Sequence, residues 1–309
     1  MKINRFTIDV SGTNYENILE KIISGIPNGS HVLEIKGFDG VTEVATTGVI
    51  NFTKDYQIGT SYILDDYPNA HAAYSFSRLS STYNGSVVNI RRISDNTYQE
   101  FGLDVDYVDI AAINTFLNGT SGVISDVYDQ SGNNRPLAAG TADGGVVGTN
   151  QPVVKIIGGV LSINSSTALH ALTATLGTIS TATEFTVVKD TTSKLALISA
   201  GQITTHYFGV VSKGSSTGNV NNESGTPNYR VNSVAISSPT RDSFGIAVQN
   251  STKNVITVEN LNLSTWTKYS TRYASDGIVA LEDIYTKILY GKQFTASERN
   301  DIESRLSSL

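Results

Sequence analysis

The chain has 309 residues, 22 Lys+Arg against 28 Asp+Glu and no cysteine, a size at which roughly three quarters of the extended chain's surface is buried on folding without any covalent staple. The missing cysteines exclude a disulfide scaffold, thiolate zinc sites, iron–sulfur clusters and cysteine nucleophiles. A net charge of −6, with 16% charged residues where about 25% is usual, argues against a nucleic-acid binder.

From the N-terminus, Lys2–Val10 reads as a strand, Asn14–Ser24 as a helix with Ile18, Leu19, Ile22 and Ile23 on one face, and His31–Gly37 and Gly48–Thr53 as further strands. This predicts a small α+β domain over residues 1–67. The polar, proline-bearing Asp65–Asn69 then separates it from a β-rich domain over residues 68–309. Met1–Arg5 lacks the apolar core of a secretory signal and no membrane-length apolar run follows, so a soluble chain without membrane insertion is expected.

Beyond the junction, short apolar runs bounded by Gly, Asn, Ser or Asp predict strands at Ala72–Leu79, Val87–Ile93, Thr97–Leu103, Gly122–Tyr128, Gln151–Ile157, Glu184–Asp190, Leu195–Ala200, His206–Ser212, Asn228–Ile236, Phe244–Gln249, Asn254–Glu259, Thr267–Tyr273 and Glu282–Tyr290. Two helices are predicted, Val108–Leu117 and Ala296–Leu306. The second opens on a Thr295/Glu298 capping box, and Arg299 is placed to meet Glu303 one turn on. Many short strands without a βαβ rhythm indicate a mainly β, two-sheet sandwich.

Five passages carry a family resemblance: AYSFSRL from Ala73, VVNIRRISDN from Val87, VYDQSGN from Val127, EDIYTKILYGKQF from Glu282 and TASERNDIESRL from Thr295. They are similar to the catalytic-domain family of α-L-arabinofuranosidase B and resemble more closely the concanavalin A-like lectin or laminin-G-like domains of bacteriophage virion proteins. The resemblance implies a concanavalin A-like jelly roll for residues 68–309. It also implies a virion structural protein (tail fibre or spike, head fibre or capsid decoration) assembled in the host cytoplasm and not an enzyme. Such a protein would attach to other virion proteins through residues 1–67, form a homo-oligomer and bind host surface glycan. The alternatives are a glycoside hydrolase of arabinofuranosidase-like type and a purely structural decoration protein without ligand.

Glycan recognition is expected on the polar loop Lys213–Arg230 and its surroundings, with Tyr207 and Tyr229 offering ring faces and Asn219, Asn222, Asn228 and Arg230 hydrogen bonds; Trp266 is a further candidate ring. For hydrolysis, Asp126 and Asp129 are the first acids to consider. The setting of Asp129 before Gln130 and Ser131 instead predicts a turn stabilised by Asp129, Ser131 and Asn133. Glu184, Glu259 and Glu282 read as solvated rim acids. No acidic motif aligns with the hydrolase family's nucleophile and acid, and that family's adjacent cysteine pair is missing, so no catalytic residue is assigned. His31, His71, His170 and His206 are isolated, so neither a metal nor a cofactor is expected.

Overall fold

The structure is a computed structural model that describes residues 61–139, 151–164, 171–201, 206–215, 218–271 and 281–309, together with the backbone of 29–39, 42–54 and 279–280. The chain divides into Met1–Thr60 and Ser61–Leu309. In the first unit β1 (Gly29–Asp39) pairs antiparallel with β2 (Thr42–Lys54), with irregular register at Ile35/Lys36 and Gly37/Phe38. The strand and helix predicted before Gly25 lie outside the described residues.

The division falls before the expected junction, for a physical reason. Helix α1 (Ile63–Asp66) buries Ile63 and Leu64. The Tyr67 hydroxyl donates to Asp301 Oδ2 at 2.9 Å, and Arg305 binds both the Ser61 carbonyl and Asp66. The Asp65–Asn69 segment is therefore packed against the C-terminal helix of the larger unit and does not link two units.

That unit is a β-sandwich of antiparallel strands with few helices. Its principal strands are β3 (Ala70–Ser75), β4 (Val88–Arg92), β5 (Tyr98–Phe101), β6 (Gly122–Val127), β7 (Val153–Ile157), β8 (Val160–Asn164), β9 (Ile179–Lys189), β10 (Gly225–Val231), β11 (Val234–Ile236), β12 (Lys253–Leu263) and β13 (Asp283–Tyr290). Strand β13 is a hub that pairs with β3, β8 and β9, and the sheet continues from β9 through β12 and β10 to β11. Strands β5, β4 and β6 form a second run that joins the first through β7 and β8.

Alternation of side chains divides the core. On β9, Phe185 and Val187 join Ile288, Tyr290, Phe294, Ile302 and Leu306 beneath the C-terminal helix. Ala182 and Val188 face the other way, into the larger cluster with Tyr74, Val88, Ile90, Ile124, Ile256 and Tyr269.

Helix α2 (Ile110–Leu117) is capped by Asp109 and ends at Asn118 in the left-handed region. Helix α3 (Arg241–Val248) replaces the strand predicted at Phe244–Gln249. Thr240 caps it, Phe244 and Val248 bury one face a turn apart, and Gly245 lies where an added Cβ would stand 2.7 Å from the Lys213 nitrogen. Helix α4 (Ala296–Ser307) carries the predicted Thr295/Glu298 capping box. Its Arg299 pairs with Glu259 on β12, while Glu303 accepts from Thr257. These two charges are thus spent on the sheet, while Arg305 pairs with Asp301 one turn back along the helix at 2.9 Å. No helix among the described residues is long and apolar enough to cross a membrane.

Candidate active site

The VYDQSGN passage forms a clasp. Asp129 accepts from the main-chain N–H groups of Ala73 (2.8 Å), Ser131 (2.9 Å) and Arg135 (3.1 Å) and from the Ser131 hydroxyl (2.8 Å). Gln130 Nε2 donates to the Ser75 and Ser77 carbonyls while its Oε1 accepts from Leu79. Asn133 Nδ2 donates to the Ala70 and His71 carbonyls. Every arm grips β3 or the chain that follows it, and Asp129 is buried. This geometry fixes a turn to a strand and leaves Asp129 no free oxygen for a reacting group.

The residues expected on the Lys213–Arg230 loop do not converge. Tyr229 is 2% exposed, packs on Phe244 at 4.9 Å and accepts from the Gly209 N–H, so it offers no face to a sugar. Its register partner Val258 on β12 turns it inward. Arg230 points the other way, within 3.5 Å of Glu303 on α4. Asn228 and Asn219 are exposed, and the Asn219 carbonyl accepts from Arg241. Tyr207 and Asn222 are held to each other by two main-chain hydrogen bonds. Trp266 is buried, stacks on Phe208 at 5.7 Å and donates to the Glu223 carbonyl.

Of the acids read as rim residues, Glu184 is the reverse of solvated. It lies fully buried inside the sandwich, accepting from Lys287 Nζ (2.7 Å), the Thr186 hydroxyl (2.8 Å) and the Tyr269 hydroxyl (2.7 Å). Glu259 is closed by Arg299. His71 donates to the Leu176 carbonyl and His206 lies beside Trp266, and burial lowers the pKa of both rings. Among the described residues no metal-ligating group of three or more side chains converges. His170 and the His31 side chain lie outside them.

A further pair of carboxyls lies where β9 ends and β13 begins. Asp190 follows the interior-facing Val188 and is fully buried, with Oδ1 accepting from the Thr192 N–H and hydroxyl, both at 2.8 Å. Its Oδ2 is sheltered and has no hydrogen-bond partner among the described residues. Burial, with the nearby Glu282 charge adding, pushes its pKa up against the opposing Thr192 bonds.

Glu282 is driven in the opposite direction. Burial pushes it up, but this is outweighed by the Thr191 hydroxyl and N–H on Oε2 and by Lys155 Nζ at 3.3 Å from Oε1, so its pKa is lowered. Lys155 is shared with Asp283 at 2.8 Å, itself held by Ser162 and Asn164. The Glu282 side chain keeps 14% of its surface and Lys155 36%, so the pair opens to solvent on their side. Two neighbouring carboxyls whose pKa values are pushed in opposite directions are an arrangement suited to acid and base chemistry. Sequence pattern marked Glu282 as a solvated rim acid and Asp190 only as a strand end; the pairing of β9 with β13 is what brings the two ends together.

Residues 64–207 match the family model of the α-L-arabinofuranosidase B catalytic domain. No curated protein matches the chain. Among solved structures, the chain is similar to an arabinofuranosidase complexed with arabinofuranosyl-α-1,2-xylobiose, at 14% identity and a TM-score of 0.55 over 77% of this chain and 62% of that one. A GH54 α-L-arabinofuranosidase soaked with a cyclic sulfate inhibitor aligns at 14% identity and a TM-score of 0.48 over the same shares. The chain thus spans less than two thirds of the length of these structures.

These matches correct the expectation of a phage virion lectin that is not an enzyme. The matched family model describes the catalytic domain of a hydrolase, which was the alternative, and host attachment and a lectin role are set aside with the main reading. Fold likeness alone assigns no activity.

Proposed function

We propose that residues 61–309 form a glycoside hydrolase domain of arabinofuranosidase-like type, cleaving an α-L-arabinofuranosyl linkage with Asp190 as acid and Glu282 as its ionised partner. The match of residues 64–207 to the hydrolase catalytic domain carries this reading, and the opposed pKa shifts of the two carboxyls supply the acid–base asymmetry it needs.

On this reading Asp190, tied at Oδ1 by Thr192, carries its proton on Oδ2. The proton passes to the glycosidic oxygen as the bond to the anomeric carbon breaks; a water molecule then bonds through its oxygen to that carbon and returns a proton to Asp190. The Glu282 carboxylate stabilises the positive charge that develops on the sugar ring, and Lys155 with Thr191 keeps it ionised.

The test is release of 4-nitrophenolate from 4-nitrophenyl α-L-arabinofuranoside by the full chain. Turnover that Glu282→Gln reduces by at least a hundredfold is expected. Turnover unaffected by Glu282→Gln refutes the assignment of the pair, and no turnover refutes the hydrolase reading.

A further inference from the structure

The outward face of β5, β4 and β6 carries a second constellation, built from none of the residues of the acid pair. Val88 and Ile90 on β4 are fully buried, so Asn89 between them points away from the core. In register, Asn89 lies opposite Glu100 on β5 and Asp126 on β6, which sets the three residues in a row across three strands. Such a row spans two strand spacings, roughly 9–10 Å.

Asp126 reaches this face only because the strand is irregular. Ile124 and Val127 both point into the core, so Ser125 is an extra residue opposite the Asn89–Ile90 step and re-aims Asp126 outward.

The side chains of the face are fixed by one another. The Tyr128 hydroxyl donates to Glu100 Oε1 at 2.7 Å, the Ser86 hydroxyl to Glu100 Oε2 at 2.9 Å, and Asn89 Nδ2 to Asp126 Oδ2 at 3.1 Å. The Tyr83 hydroxyl donates to the Ser86 carbonyl. Burial pushes the Tyr83 phenol up to about 12 and raises Tyr128 as well, so both keep their protons. One group is left over, because Asn89 Oδ1 is sheltered and has no partner among the described residues. A sheltered orphan acceptor between two half-used carboxylates and two held phenol rings is a face made to receive hydroxyl donors.

We propose that this face is a polysaccharide-binding surface that takes a neutral, hydroxyl-rich sugar chain across the Glu100–Asn89–Asp126 row. Sugar hydroxyls donate to Asn89 Oδ1 and to the free lone pairs of Glu100 and Asp126, while Tyr83 and Tyr128 offer ring surface. Because the rings are already held, little rotamer freedom is lost on binding. The surface would hold a polymer while the acid pair cleaves it, and binding is read without turnover, so it stands or falls separately from the hydrolase reading.

The test is affinity gel electrophoresis of the full chain through soluble arabinoxylan, with chelator present. The wild-type protein and Asp190→Asn should both be retarded, and Glu100→Gln/Asp126→Asn should bind at least tenfold more weakly. Asn89→Ala, which removes the orphan acceptor, is the second variant and should also lose binding. Near-UV circular dichroism checks that each variant is folded. Absence of retardation for the wild-type protein overturns the proposal, as does equal retardation of the folded variants. Retardation that appears only when calcium replaces the chelator also overturns it and assigns the row to a cation.

Discussion

Lys287 Nζ lies 2.7 Å from Glu184 Oε1 inside the sandwich, with side-chain exposures of 1% and 0%. The two residues belong to neighbouring strands 103 positions apart, and the ammonium also donates to the Ile198 carbonyl. Burial lowers the Lys287 pKa against the pull of Glu184. Lys287→Met leaves Glu184 buried beside hydroxyls alone, and should cost about 3–5 kcal/mol by urea denaturation. Adding Glu184→Leu should recover most of that loss. A single variant as stable as the wild-type protein would show that the pair carries no such role.

Replacing Asp129 with Asn should lower stability by about 1–3 kcal/mol, because Nδ2 then faces the Arg135 N–H that Oδ2 accepts. Hydrolysis per folded molecule should not change, since the carboxylate is spent on the turn. Lost activity at unchanged stability, measured by thermal unfolding beside initial rates, would place Asp129 in the chemistry.

Gly245→Ala on α3 separates helix propensity from packing. Alanine is the better helix former by about 1 kcal/mol, yet its Cβ would stand 2.7 Å from the Lys213 nitrogen and 2.9 Å from the Ser212 carbonyl carbon. The variant should be less stable than the wild-type protein in urea. A gain would mean that the Ser212–Lys213 segment yields without cost.

The same helix shows where sequence reading stopped. Strands such as β9 and β13 were legible from their apolar runs, and α4 from Thr295 and Glu298 three positions apart. Phe244 and Val248 fit a short strand as well as a helix turn, and what decides between them is a contact with residues 212 and 213 that no local pattern contains. Tyr229 and Trp266 sit in polar surroundings in sequence, and strand pairing and the stack on Phe208 turn them inward. For the acids the difficulty is sharper. Glu184, Asp190 and Glu282 are three strand-end carboxyls in sequence, and only the neighbours that the fold brings, Lys287 on β13 and Lys155 on β7 among them, make one a core ion pair, one a carboxyl with a raised pKa and one a held carboxylate.

Asp190 gives a pH signature of its own. In the unfolded chain it ionises near its ordinary 3.8, whereas burial in the fold keeps it protonated to higher pH. The folded state therefore binds more protons across that interval, and this residue's contribution to stability falls as pH rises from the ordinary value through the raised one. Asp190→Asn removes the loss, so the Tm of the variant relative to the wild-type protein should climb across this window and stay level below it. Glu282 has the opposite sign. It contributes stability above its ordinary 4.5 and loses it as pH falls through the lowered value. A Tm difference independent of pH would contradict a raised Asp190.

The central claim is that Asp190 gives a proton to a sugar leaving group. Its most direct measurement compares wild-type and Asp190→Asn rates on two substrates, arabinose release from arabinofuranosyl-α-1,2-xylobiose and 4-nitrophenolate release from the aryl arabinofuranoside. Nitrophenolate leaves without help, whereas a sugar alkoxide does not. The wild-type protein should turn over both, and the variant should lose about 10²–10⁴-fold on the trisaccharide and far less on the aryl substrate. Equal losses on the two substrates, or no arabinose released by the wild-type protein, would contradict the claim.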